Sequence, residues 1–148
     1  MDRYDALLIK AGDQSYALPL LKIQEIRGWS PVSPLPSTDA SCLGILNLRG
    51  IVLPVFDARR ILGKPTPEPT QQNVIVVATA HGKPVGMLVD SVSDIVPIDG
   101  DRVTRADGDD NWSSHLVEGI ASVDELLVPL LSLEAITGPI LPDLQAAA

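Results

Sequence analysis

Apolar residues in this chain fall into short runs separated by pairs of turn-forming residues, a pattern that predicts hairpins. The clearest covers residues 44–57, GILNLRGIVLPVFD, where two aliphatic runs meet at Arg49-Gly50. Gly50 can take the positive φ of a tight turn, and the β-branched and long aliphatic flanks suit strands. Residues 4–10 and 15–18 about Gly12-Asp13 predict an opening hairpin, and residues 73–80 and 84–89 about His81-Gly82-Lys83 predict another. Residues 20–25 predict one helical turn, residues 26–35 a proline-broken extended piece, and residues 39–43 a short helix. Another short helix is expected over 57–62, with Asp57 as N-cap and Gly63 as its stop. Pro54 and Pro129 cannot donate to a ladder, which predicts edge or bulge positions for both.

The pattern repeats. Gly44, Ile45, Pro54, Ile61 and Gly63 lie over Gly119, Ile120, Pro129, Ile136 and Gly138 without a gap. Upstream, Ala17-Leu18 lies over Gly86-Met87, and Ile23-Gln24-Glu25-Ile26 over Val92-Ser93-Asp94-Ile95. The expectation is one domain over residues 1–148 with halves at roughly 15–63 and 84–138 and a proline-rich linker at 64–72. Strands at 4–10 and 73–80 open the halves, and the tail 139–148 is expected to be disordered. Each copy is too small for a sandwich, so the fold class is mainly β: two small barrels of five strands with short helices. Residues 51–56 are apolar on both faces, as expected if one face fills a barrel and the other meets its sister.

Composition narrows the function. Of 148 residues, 45% are hydrophobic but only 3% aromatic, so the core must be aliphatic. Eleven basic against nineteen acidic residues give a net charge of −8, and no basic cluster exceeds Arg59-Arg60, which argues against nucleic acid. Cys42 is the single cysteine, so no internal disulfide is expected. No apolar run approaches the ~18 residues of a membrane span, and a cytoplasmic protein is expected without cofactor or metal. Ser114-His115 has no nucleophile elbow, His81 sits in a turn, and the acidic loop 107–110 lacks the spacing of a calcium loop; no enzyme is expected.

The repeat also separates folding from binding. The turn residues Arg49-Gly50 correspond to Asp124-Glu125, and Glu25-Ile26-Arg27 to Asp94-Ile95-Val96. A fold that accepts the opposite charge at the sister turn does not itself require Arg49. The stretches 23–28 (IQEIRG), 44–50 (GILNLRG) with 54–59 (PVFDAR), 85–94 (VGMLVDSVSD) and 119–121 (GIA) followed by 127–131 (LVPLL) resemble the CheW family of chemosensory coupling proteins, in order and over nearly the whole chain. The resemblance implies paired SH3-like barrels and a non-enzymatic adaptor. Its implied partners are the helical tip of a chemoreceptor, a methyl-accepting chemotaxis protein, and the regulatory domain of a CheA-type histidine kinase, at membrane-bound arrays reached through those partners. Carried over by motif, the partner-binding residues are Glu25, Arg27, Arg49, Gly50 and Asp57, with Trp29 added as an aromatic near them. The alternatives are a barrel that binds a small ligand or peptide, or the same adaptor role in a pilus-motility or surface-sensing array.

Overall fold

Alternating apolar runs and tight turns give eleven strands among the described residues, which are 3–34, 41–105 and 116–137 of a computed structural model. Strands β1 (Arg3–Ala11) and β2 (Gln14–Pro19) form the opening hairpin, and a 3-10 turn at Leu20–Lys22 leads to β3 (Ile23–Gly28). Strands β4 (Cys42–Leu48) and β5 (Ile51–Asp57) follow, then α1 (Ala58–Ile61), then the hairpin β6 (Val74–Ala80) and β7 (Lys83–Val89). Strand β8 (Ser91–Asp99), a 3-10 turn at Gly100–Arg102, β9 (Val103–Arg105), the hairpin β10 (Val117–Val123) and β11 (Leu126–Leu131), and α2 (Leu133–Thr137) complete the order.

Most of the local expectations hold, and the exceptions have physical causes. The Asp57 side chain accepts from Arg59 N and caps α1, and Gly63 takes φ +74 beyond its end. The helical turn expected over 20–25 is shorter, because Ile23 onward is drawn into a ladder with β6. Of the short helix expected at 39–43, Cys42 and Leu43 instead open β4, while residues 35–40 lie outside the described ones. The acidic loop 107–110, Trp112 and the tail 139–148 also lie outside them. Pro54 and Pro129 are not at edges: each sits in an interior strand, opposite Ile45 and Ile120. Counting from the two-residue turns, both fall at non-hydrogen-bonded positions of their hairpins, so neither removes a hairpin hydrogen bond, and each directly precedes the parallel pair of its strand, Val55 with Gly86 and Leu130 with Ala17.

The strands form two sheets, one in the order β3-β6-β7-β5-β4 and one in the order β8-β1-β2-β11-β10-β9. The sheets and the sequence repeat partition the chain differently. Each sheet takes its central hairpin from one half and its remaining strands from the other, joined by the parallel contacts Val55 to Gly86 and Leu130 to Ala17. Those two pairs are equivalent under the repeat, and so are the bulges at Cys42/Gly44 and Val117/Gly119. The halves are therefore threaded through one another.

The two faces of these strands serve two purposes. Leu7, Ile9 and Leu18 from one sheet meet Phe56, Val76 and Met87 from the other in a shared cluster, completed by Leu133 and Ile136 of α2. The opposite faces line each sheet's own interior: Leu46, Leu53, Val55, Ile75 and Leu88 in the five-stranded sheet, and Ala6, Ala17, Ile98, Ala121 and Val128 in the six-stranded one. That double burial is why β5 and β6 carry apolar residues at successive positions.

The five-stranded sheet curls until its edges are linked. Chain leaving β3 returns to the far edge, where Ser33 N donates to Ile45 O at 2.9 Å and Ile45 N to Ser33 O at 2.8 Å. In the other sheet Thr104 occupies the equivalent place opposite Ile120. Gly44 permits the closure: its φ is +150, and a Cβ there would lie 2.2 Å from Ser33 O. Gly44→Ala should therefore lower the free energy of unfolding by about 1–3 kcal/mol. Gly28→Ala, with nothing within 4 Å of the added methyl, should change it by less than about 0.5 kcal/mol. Urea denaturation of the two variants checks both values.

Candidate functional site

On β3, Glu25 and Arg27 stand opposite Val77 and Ile75 in the ladder and so share the face of the sheet's own core. They lie at its solvent end, half-buried. The β4–β5 turn brings Arg49 over them from the other edge of the curled sheet. Arg49 and Gly50 both adopt positive φ, +52 and +88, and the Asn47 side chain fastens the turn by accepting from Gly50 N at 2.9 Å. Paired positive angles match the right-handed twist of the flanking strands. Asp124 and Glu125 make the same turn at φ +48 and +69, so the backbone geometry is indifferent to the charge it carries.

Arg49 Nη2 donates to Glu25 Oε1 at 2.5 Å, and Arg27 Nη1 lies 3.8 Å from Glu25 Oε2. One carboxylate thus faces two guanidinium groups, leaving the corner with a net positive charge. The Arg49 side chain is 73% exposed while that of Glu25 is 25% exposed. Glu25 orients a cation that remains open to a visitor. The hydrogen bond from Arg49, partly opposed by desolvation, holds the Glu25 carboxyl below its ordinary value, and the same bond raises the Arg49 guanidinium. Arg27 Nε is buried without a hydrogen-bond partner among the described residues. Ile51, 51% exposed, follows the Arg49-Gly50 turn directly, whereas Ile26, 44% exposed, lies between Glu25 and Arg27 on β3 and points to the opposite face, that of Val76. Trp29, two residues beyond Arg27, packs half-buried on the same core, and its backbone N–H donates to Asn73 O at 3.0 Å.

The structure thus gathers Glu25, Arg27, Arg49 and Gly50 at one corner, with Trp29 packed on the core of the same sheet. Asp57 stands apart. It is 1% exposed and is occupied by Arg59, whose Nε and Nη2 donate to its two carboxylate oxygens at 2.9 and 3.0 Å. Its role here is internal, since a partner cannot reach a carboxylate already enclosed by an N-cap and a bidentate ion pair. Arg59 also donates to Pro67 O at 2.9 Å and lies 3.6 Å from Asp90 Oδ1, while Asp90 Oδ2 accepts from Gly12 N at 2.6 Å. This network ties the linker, β5 and the β1–β2 turn together. In the sequence Arg59 stands in the basic doublet Arg59-Arg60 and in the stretch PVFDAR; the signal for the buried pair is an Asp capping a helix two residues before an Arg.

In contrast to Asp57, the equivalents of the exposed pair carry no cation. Asp94, corresponding to Glu25, accepts from its neighbour Ile95 N at 2.8 Å, and Asp124 stands where Arg49 does. Leu126 and Ile95, 64% and 51% exposed, correspond to Ile51 and Ile26. The two ends of the molecule thus share an apolar pattern with opposite charge.

Comparison with known proteins agrees over nearly the full length. The model of the CheW-like domain matches residues 5–138. The chemotaxis protein CheW of Rhizobium meliloti (strain 1021) is 35% identical over 133 residues, covering 89% of this chain and 86% of that protein. The chemotaxis protein CheW of Bacillus subtilis (strain 168) is 24% identical over 131 residues, covering 88% and 84%. Among solved structures, the scaffolding protein TtCheW from Thermoanaerobacter tengcongensis superposes with a TM-score of 0.85 at 23% identity, covering 91% of this chain and 92% of that one, which shows the shared fold.

Two outcomes follow from the site's electrostatics and burial. A carboxyl whose folded-state pKa is depressed contributes stability above its unfolded value and loses it as pH falls through the folded one. NMR titration should therefore find Glu25 ionising below 4.5, returning toward that value in Arg49→Ala. Arg59→Ala leaves Asp57 enclosed without its cation and should destabilise the fold by about 3–5 kcal/mol in chemical denaturation.

Proposed function

The chain belongs to the CheW-like domain family, and from that premise we propose that it is a non-enzymatic adaptor coupling chemoreceptors to a CheA-type histidine kinase. It works at receptor arrays through its partners: among the described residues no helix is long and apolar enough to cross a membrane. One partner is the kinase's regulatory domain and the other the helical tip of the receptor. The observation that supports this reading is the Arg49–Glu25 corner, an exposed and oriented cation on a turn whose sister shows that folding does not need it.

The physical logic is that of a specific interface. A rigid sheet supplies apolar contact through Ile51 beside the turn, and a few charges select the partner. Arg49 is held by one carboxylate on one side only, so a partner carboxylate can share it without freeing a buried charge. Glu25 sets its direction.

Arg49→Glu should leave the melting temperature close to that of the parent while abolishing co-sedimentation with receptor and kinase assemblies. Asp124→Arg, at the equivalent turn, should reduce co-sedimentation far less. Unchanged co-sedimentation of Arg49→Glu removes the corner from the interface.

A further inference from the structure

The two sheets have the same ladder register but not the same filling. Arg27 opposite Ile75 corresponds to Val96 opposite Ala6, and Leu46 opposite Leu53 corresponds to Ala121 opposite Val128. Trp29, whose N–H reaches Asn73, corresponds to Ile98, which pairs with Tyr4. Leu88 and Leu43 correspond to Pro19 and Glu118. Where the five-stranded sheet places Trp29, Leu46, Leu53 and Ile75, the six-stranded sheet places the smaller Ile98, Ala121, Val128 and Ala6, offset only in part by Leu130 and Leu8 in place of Val55 and Val77.

What remains is a cavity of about 580 Å³, lined by Tyr4, Ala6, Ala17, Pro19, Val103 and Glu118 among others. That size lies in the range of pockets that hold small molecules, roughly 300–1,000 Å³. Glu118, exposed at this site, is the one charged side chain among the described lining residues. We propose that the interior of the six-stranded sheet binds a small amphipathic cation, an aryl- or alkylamine whose apolar body lies over Ala6 and Ala17, where the sister sheet carries the longer Ile75, and whose ammonium meets Glu118.

The site is separate from the Arg49 corner, which belongs to the other sheet, so it adds a ligand input to the adaptor. It also stands or falls independently of the adaptor reading. The full chain should be titrated with 1-naphthylmethylamine as probe, followed by thermal shift and NMR. Saturable binding is expected, with the anion 1-naphthoate at least about tenfold weaker and Glu118→Gln weakening the amine by at least about fivefold. Ala6→Ile, which copies the sister residue, should abolish probe binding and leave co-sedimentation with receptor and kinase unchanged. Absence of saturation, equal binding of naphthoate, or undiminished binding in Glu118→Gln overturns the proposal. So does binding that emerges only when residues 107–114 are replaced by a Gly-Ser linker, because the chain itself then fills the cavity.

Discussion

The parallel contacts between β5 and β7 and between β11 and β2 are the constraint on which the rest of this molecule depends. At each, a hairpin from one half of the chain is inserted into the sheet of the other. Neither half can complete its sheet alone, so the two sheets cannot drift apart as domains on a linker would. The approach is close: a Cβ on Gly86 would come within 3.1–3.3 Å of Ile75, Val55 and Leu53. Around these contacts the shared cluster of Leu7, Leu18, Phe56 and Met87 forms, and with it the frame that carries the surface.

A rigid frame matters because the proposed binding corner is assembled from distant edges. Glu25 is on the strand at one side of the five-stranded sheet and Arg49 on the hairpin at the other. They meet only because the sheet curls and Ser33 closes it onto Ile45 over the bare backbone of Gly44. Any loosening of that closure separates the carboxylate from the guanidinium it orients. The buried Asp57–Arg59 pair works at the other end of β5, fixing the linker and the β1–β2 turn, which places it in the framework and not in the interface.

Much of this was legible in the residues. Arg49-Gly50 between aliphatic runs gave the hairpin, and the internal repeat gave two sheets of similar plan. Comparing the two copies singled out Arg49 and Arg27, since the sister positions hold Asp124 and Val96, whereas Glu25 came from the family resemblance. Three things were not legible. The exchange of hairpins between halves leaves no mark in a linear pattern, because a strand's alternation is the same whichever neighbour it pairs with. Pro54 and Pro129 looked like edge residues because the sequence shows a missing donor but not which side of the strand it faces. Asp57 read as a binding residue by motif, whereas its burial depends on Arg59 folding back upon it.

In the proposed function an exposed arginine, aimed by a neighbouring glutamate, is the part of this duplicated framework that recognises a partner. The most direct measurement is chemical-shift mapping of the isotopically labelled protein, titrated separately with the kinase regulatory domain and with the receptor tip. At least one partner should shift the resonances of Arg49, Gly50 and Glu25 at substoichiometric ratios. Perturbations that leave these three residues unmoved with both partners would contradict it.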